Sequence, residues 1–138
     1  MLTRTILLVD DNAVQAAARQ AILKLNGYFV ITALNPTYAL EQFRSGELPS
    51  EVHLVITDHI MPGMSGSQFA REIRNLMPQI PVLVISGLEE AEGEYEGLDV
   101  EFRMKPLQPE HLLACVEQMA GAAVIDDSAV PLVIAAPA

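Results

Sequence analysis

The chain is poor in cysteine, in basic residues and in long apolar runs, and each shortage closes off a class of protein. Its single cysteine, Cys115, leaves no partner for an internal disulfide. Cys115 lies in a helical pattern, where a free thiol acts as a small buried hydrophobe, and we read it that way rather than as a nucleophile. Eight Lys and Arg stand against eighteen Asp and Glu, for a formal net charge of −10 at pH 7. Such a field repels phosphate backbones and anionic lipid heads, which argues against direct binding to nucleic acid or membrane surfaces. Hydrophobic residues make up 51% of the chain, yet no uninterrupted apolar run approaches the ~20 residues of a membrane helix. There is no internal repeat, and 138 residues give room for one ordinary core rather than two. Residues Met1–Arg4, ahead of the first strand pattern, are too few for an export signal, so the expected location is the cytoplasm.

What the chain does have is a stretch from His53 to Gly66 in which an apolar run, Leu54-Val55-Ile56, delivers Thr57-Asp58 and then breaks into a Met61-Pro62-Gly63 turn. A buried aliphatic strand between helical patterns belongs to a parallel α/β sheet, where ligands bind at the carboxyl ends of the strands. Three more runs also end in polar residues. Ile6-Leu7-Leu8-Val9 meets Asp10-Asp11, Val82-Leu83-Val84-Ile85 meets Ser86, and Val100–Met104 meets Lys105. Polar groups therefore gather at one end of the sheet.

In chain order, a strand over about 5–9 is followed by Asn12 as helix cap and an Ala-rich helix to Leu25, with Gly27 as its stop. Val14, Ala17, Ala18, Ala21 and Leu25 form its expected buried stripe. A second strand over about 28–33 leads to Asn35-Pro36, a cap with Pro in the first turn, and a helix with Ala39, Leu40 and Phe43 inward, ended by Gly46. Ser65 and Gln68 fit a capping box on a third helix lined by Phe69, Ile73 and Leu76. Pro81 leads the fourth strand, where Pro is tolerated. In the fifth, Val100, Phe102 and Met104 alternate with Glu101 and Arg103, as in a half-buried edge strand. Between them, residues 88–97 hold two glycines and five glutamates, which predicts a short or frayed fourth helix. Pro109 and Glu110 open the last helix, with Leu112, Val116 and Met119 inward and Gly121 as its end. The pattern predicts one domain over 1–121, a doubly wound five-stranded parallel sheet of order 2-1-3-4-5, and a disordered terminus over 122–138.

The ordered set of Asp10-Asp11, Asp58 within D-x-x-M-P-x-M-S-G, Ser86-Gly87 and Lys105-Pro106 resembles the receiver domain of two-component response regulators over residues 4–120. The resemblance implies a flavodoxin-like fold and a phosphoacceptor rather than a free-standing enzyme. Asp58 would accept a phosphoryl group from the phosphohistidine of a sensor histidine kinase. Asp11, Asp58 and the Ile60 carbonyl would hold Mg²⁺ directly, with Asp10 acting mainly through water. Lys105 and Ser86 would stabilise the phosphoryl group, Ser86 and Phe102 would form the switch, and the Lys105-Pro106 bond would be cis. Output would be a protein contact on the face built from the 88–97 segment, the fifth strand and the last helix, made by a monomer or weak homodimer. Relay intermediate and receiver module of a hybrid kinase are the alternatives within the family.

Bottom-up chemistry agrees with the site. Three carboxylates at adjacent strand ends repel one another unless a cation joins them, and Mg²⁺ takes hard oxygen ligands. An aspartyl-nucleophile hydrolase fits less well, because position 12 is Asn where a D-x-D pattern would place a second acid, and no cap insertion is present. A flavin-phosphate loop would need small residues where Asp10-Asp11 stand. His53, His59 and His111 share no ligand face and are set aside as metal or phosphohistidine candidates. By the same resemblance Ile60 and Leu88 would flank the phosphoryl group, and as bulky apolar residues they should exclude attacking water. That predicts a slowly hydrolysing aspartyl phosphate, or reverse transfer to a histidine partner, over rapid self-dephosphorylation.

Overall fold

The computed structural model describes residues 3–48 and 51–122. The segment after 122, expected as a disordered terminus, lies outside the described residues. Five strands, β1 (Thr5–Val9), β2 (Phe29–Ala33), β3 (Leu54–Asp58), β4 (Val82–Ser86) and β5 (Glu101–Met104), form one parallel sheet of order β2-β1-β3-β4-β5. Every residue of β1, β3 and β4 is buried. Helices on both faces explain that unbroken burial, since a central parallel strand meets no water on either side.

Among the described residues four α-helices cover the sheet: α1 (Ala13–Leu25), α2 (Pro36–Ser45), α3 (Gly66–Leu76) and α4 (Pro109–Ala120). Alternate strand residues feed two cores. Leu7, Val9, Val55, Val82 and Val84 pack with Ala39, Leu40, Phe69 and Ile73 of α2 and α3. Ile6, Leu8, Leu54, Ile56, Leu83 and Ile85 pack with Ala16 and Leu23 of α1 and Leu112, Cys115 and Val116 of α4. The expected caps are in place. Asn12 accepts from the Gln15 amide, Asn35 from the Thr37 and Tyr38 amides, and Ser65 and Gln68 form a reciprocal capping box. Gly46 ends α2 at φ 72°, a left-handed conformation that suits glycine.

One helix is rotated from its expected phase. Val14, Ala17, Ala18, Ala21 and Leu25 are all exposed, and the sheet side of α1 is instead Gln15, Ala16, Arg19 and Leu23. Alanine at 13, 16, 17, 18 and 21 puts small apolar groups all round the helix, so apolar periodicity cannot set its phase. What sets it is Leu23, fully buried, together with two polar side chains that reach the acidic end of β1. Leu76 and Met104, expected inward, are likewise partly exposed at 38% each, at the ends of their elements.

The expected weak helix is a 3-10 segment, Glu89–Tyr95, with no side-chain cap and no basic residue in its last turn. Ala91 and Tyr95 are the buried residues that hold it. Its far end is tied down by Arg74 on α3, whose guanidinium donates to the carbonyls of Met77, Pro78, Ile80, Leu98 and Asp99 at 2.7–3.3 Å. Asp99 takes a positive φ of 55° there.

Candidate functional site

Sheet register brings the polar strand ends side by side. Asp58 is paired with Ile85, Ser86 with Met104, and the Lys105 amide donates to the Ser86 carbonyl at 2.8 Å. Asp10, Asp11 and Asp58 each offer a carboxylate oxygen within 4.8 Å of one another. Asp10 is fully buried, Asp58 is 6% exposed, and Asp11 faces solvent. Lys105 Nζ donates to Asp58 Oδ2 at 2.9 Å, and the His59 amide donates to Asp58 Oδ1 at 2.9 Å. An all-oxygen donor set of this kind, beside a cleft of about 330 Å³ lined by Asp11, Asn12, Gln15, Asp58, Ile60, Gly87, Leu88 and Lys105, fits a hard divalent cation such as Mg²⁺.

The remaining expected residues divide. Ser86 is fully buried, and its hydroxyl is turned to its own turn, accepting from the Leu88 amide at 2.9 Å and donating to the Leu88 carbonyl at 3.3 Å. Ile60, 63% exposed, and Leu88, 38% exposed, both border the cleft. Phe102 is half-buried and packs against Tyr95, ring centroids 5.7 Å apart. The Lys105-Pro106 bond is cis.

Residues the sequence pattern does not single out complete the site. Gln15 Nε2 donates to Asp10 Oδ2 at 2.6 Å and to Asp58 Oδ2 at 3.1 Å, while Arg19 Nη1 donates to Asp10 Oδ2 at 3.1 Å. Burial pulls the Arg19 pKa down, against the opposing pull of Asp10 and then Asp58. The signal was the spacing of Gln15 and Arg19, four residues apart on one face of α1. On the other side His59, 6% exposed, is not the idle loop residue its spacing suggests. His59 Nδ1 and Tyr95 Oη share a hydrogen bond of 2.6 Å, and Nε2 lies 3.7 Å from Glu94. Ser67 Oγ donates to the same Glu94 at 2.9 Å. Burial first, then Glu94 and Asp58, push the Tyr95 phenol pKa up. An aromatic path thus runs from beside Asp58 through Tyr95 to Phe102 on β5.

Fold and site together define a class, the phosphoacceptor domains of two-component signalling. The chain belongs to the response regulator receiver domain family, whose pattern matches residues 6–117. It is similar to the transcriptional regulatory protein ZraR of Escherichia coli O157:H7, 34% identical over 133 residues, 94% of this chain and 29% of that protein. It also resembles the two-component response regulator ORR6 of Oryza sativa subsp. japonica, 33% identical over 111 residues, 75% of this chain and 64% of that one. The chain therefore spans less than two thirds of the length of these relatives. Among solved structures, a response regulator receiver protein from Sinorhizobium medicae WSM419 matches with TM-score 0.76 and 30% identity, over 87% of this chain and 96% of that one. TrrA from Thermotoga maritima, in complex with Mg²⁺-BeF, matches with TM-score 0.75 and 27% identity, over 84% and 98%. Among the described residues no helix is long and apolar enough to cross a membrane.

Proposed function

We propose that Asp58 accepts a phosphoryl group from the phosphohistidine of a sensor histidine kinase. The observation that carries this reading is Asp58 itself, a nearly buried carboxylate within 4.8 Å of two others and 2.9 Å from the Lys105 ammonium. An oxygen of Asp58 forms the new bond to phosphorus as the bond to the kinase imidazole breaks, and the imidazole keeps the electron pair. A metaphosphate-like transfer needs little covalent help, so the protein's task is to position the acceptor and neutralise charge. Bound Mg²⁺ would supply the larger part of that charge, held by Asp11, Asp58 and the Ile60 carbonyl, with Asp10 acting through water. Lys105 supplies the rest from the chain.

Ser86 reaches the phosphoryl group only by leaving Leu88, which frees the turn at the start of the 3-10 segment. The aromatic path then carries that release to Phe102, and a protein partner reads the face formed by the 3-10 segment, β5 and α4. Incubation with Mg²⁺ and acetyl phosphate, read by intact mass, tests the acceptor: a phosphoryl adduct in the wild type and none in Asp58→Asn is expected, and an undiminished adduct in the variant overturns the assignment. NMR shifts that stayed in the loops around Asp58, sparing Phe102 and residues 88–97, would remove the switch.

A further inference from the structure

Asp10 is the most enclosed of the three carboxylates, and the chain has already supplied partners for both its oxygens. Its Oδ1 accepts from the Asn12 amide at 2.9 Å, and its Oδ2 accepts from Gln15 and Arg19. The Arg19 side chain is 11% exposed and the Asp10 side chain 0%, so this is a buried, charge-assisted pair. A guanidinium does not lose its proton in a protein, so its charge stays in place whether or not a metal is bound. Gln15 meanwhile joins Asp10 to Asp58 with a single amide, on the same Asp58 oxygen that Lys105 holds.

We propose that Arg19 is a built-in counter-ion of the acidic cluster, and that with Gln15 it sets how tightly the site takes a divalent cation. Arg19 cancels the charge of Asp10, so an entering Mg²⁺ meets one negative charge fewer than the three carboxylates and Lys105 would present without it. Gln15 is the donor with which the metal competes at Asp58. Both are positioning residues, Arg19 acting through Asp10. The arrangement also relieves the mutual repulsion of the three carboxylates in the metal-free protein, so the site is assembled before its metal arrives. This rests on the reading of Asp10, Asp11 and Asp58 as a divalent-cation site.

The test is calorimetric titration of the full chain with Mg²⁺ at fixed ionic strength, for wild type, Arg19→Gln, Arg19→Lys and Gln15→Leu. Arg19→Gln should bind about tenfold more tightly, what a unit charge and a double charge a few ångströms apart supply even at the dielectric of water. Arg19→Lys keeps the charge and should stay within about twofold of wild type. Mg²⁺ should also raise the thermal midpoint of Arg19→Gln more than that of wild type, because a metal that binds more tightly to the folded state stabilises it more. If Arg19→Gln binds no more tightly than wild type, Arg19 is a structural ion pair and the inference is overturned. Should Arg19→Gln fail to fold without metal, Gln15→Leu decides: it leaves the ion pair intact and must tighten Mg²⁺ binding, and equal or weaker binding overturns the inference. Absence of Mg²⁺ binding in wild type and variants alike would instead bring down the cation-site reading, and this inference with it.

Discussion

The two flanks of Asp58 are built in opposite ways. On one side stands α1, 13 residues of regular helix with a side-chain cap, whose inward positions Gln15 and Arg19 are bonded to the carboxylates themselves. On the other stands the seven-residue 3-10 segment, uncapped and rich in glutamate, held through Ala91 and Tyr95. A 3-10 turn has poorer hydrogen-bond geometry than an α-helix and rarely runs longer than a turn or so. On the proposed reading the flanks would do different work: α1 would manage charge in a fixed geometry, and the 3-10 side would change shape when charge arrives.

The sharpest way to disturb that comparison is at Gly66, where the end of β3 and the 3-10 side meet α3. A Cβ there would overlap the Asp58 carbonyl and the Tyr95 hydroxyl. Gly66→Ala should lower unfolding free energy by about 3 kcal/mol in urea titration, because backbone on one side cannot yield. A loss under about 1 kcal/mol would mean the 3-10 side moves aside freely. The rigidity of the α1 flank is tested next, through its phase. Leu23→Ala should cost about 2–3 kcal/mol and Leu25→Ala less than about 0.5 kcal/mol, since Leu23 is fully buried and Leu25 is 86% exposed. Equal costs would restore the phase expected from sequence.

That phase marks where the sequence stopped being legible. The sheet order, the caps at Asn12, Asn35 and Ser65, and the position of Asp58 were all readable, because aliphatic runs, Pro and Gly punctuation and polar strand ends are local signals. The phase of α1 was not, because alanine is indifferent to its surroundings and the deciding contacts join residues 43 positions apart, Gln15 and Asp58. The Tyr95–His59 pair was hidden for the same reason. A weak helical pattern correctly foretold a poor helix, but nothing in it said that its tyrosine would close over the loop after β3.

Two smaller effects probe the cleft border and the 3-10 flank. Replacing the apolar cleft border, as Ile60→Asn with Leu88→Glu, should shorten the aspartyl-phosphate lifetime about tenfold by giving water an orienting partner, followed by phosphoryl loss after removal of donor. A lifetime unchanged or longer would show that neither side chain shields the acceptor. Tyr95→Phe should cost about 1 kcal/mol, since His59 Nδ1 is left buried without its partner. The phenol pKa is raised above its ordinary 10.0, so Tyr95 favours folding at full strength below that value, and the contribution fades as pH climbs past it toward the folded pKa. Unfolding of wild type should therefore worsen more steeply with alkali than unfolding of Tyr95→Phe, and parallel curves would argue against a buried phenol.

Arg74 gives the 3-10 flank a fixed end. Its guanidinium gathers carbonyls from the chain after α3 and from Leu98 and Asp99, so the chain re-entering β5 is held by a charged side chain, whereas the chain leaving β4 is held by the hydroxyl of Ser86 on Leu88. If the Ser86 hydroxyl turns away, a segment released at one end and pinned at the other should open like a door, widest near Glu89 and least at Leu98. Amide exchange should follow that gradient, fast at the latch beside Ser86 and slow at the hinge, and on the proposed reading a signal entering at Asp58 would become a rotation about the Arg74 end of the segment.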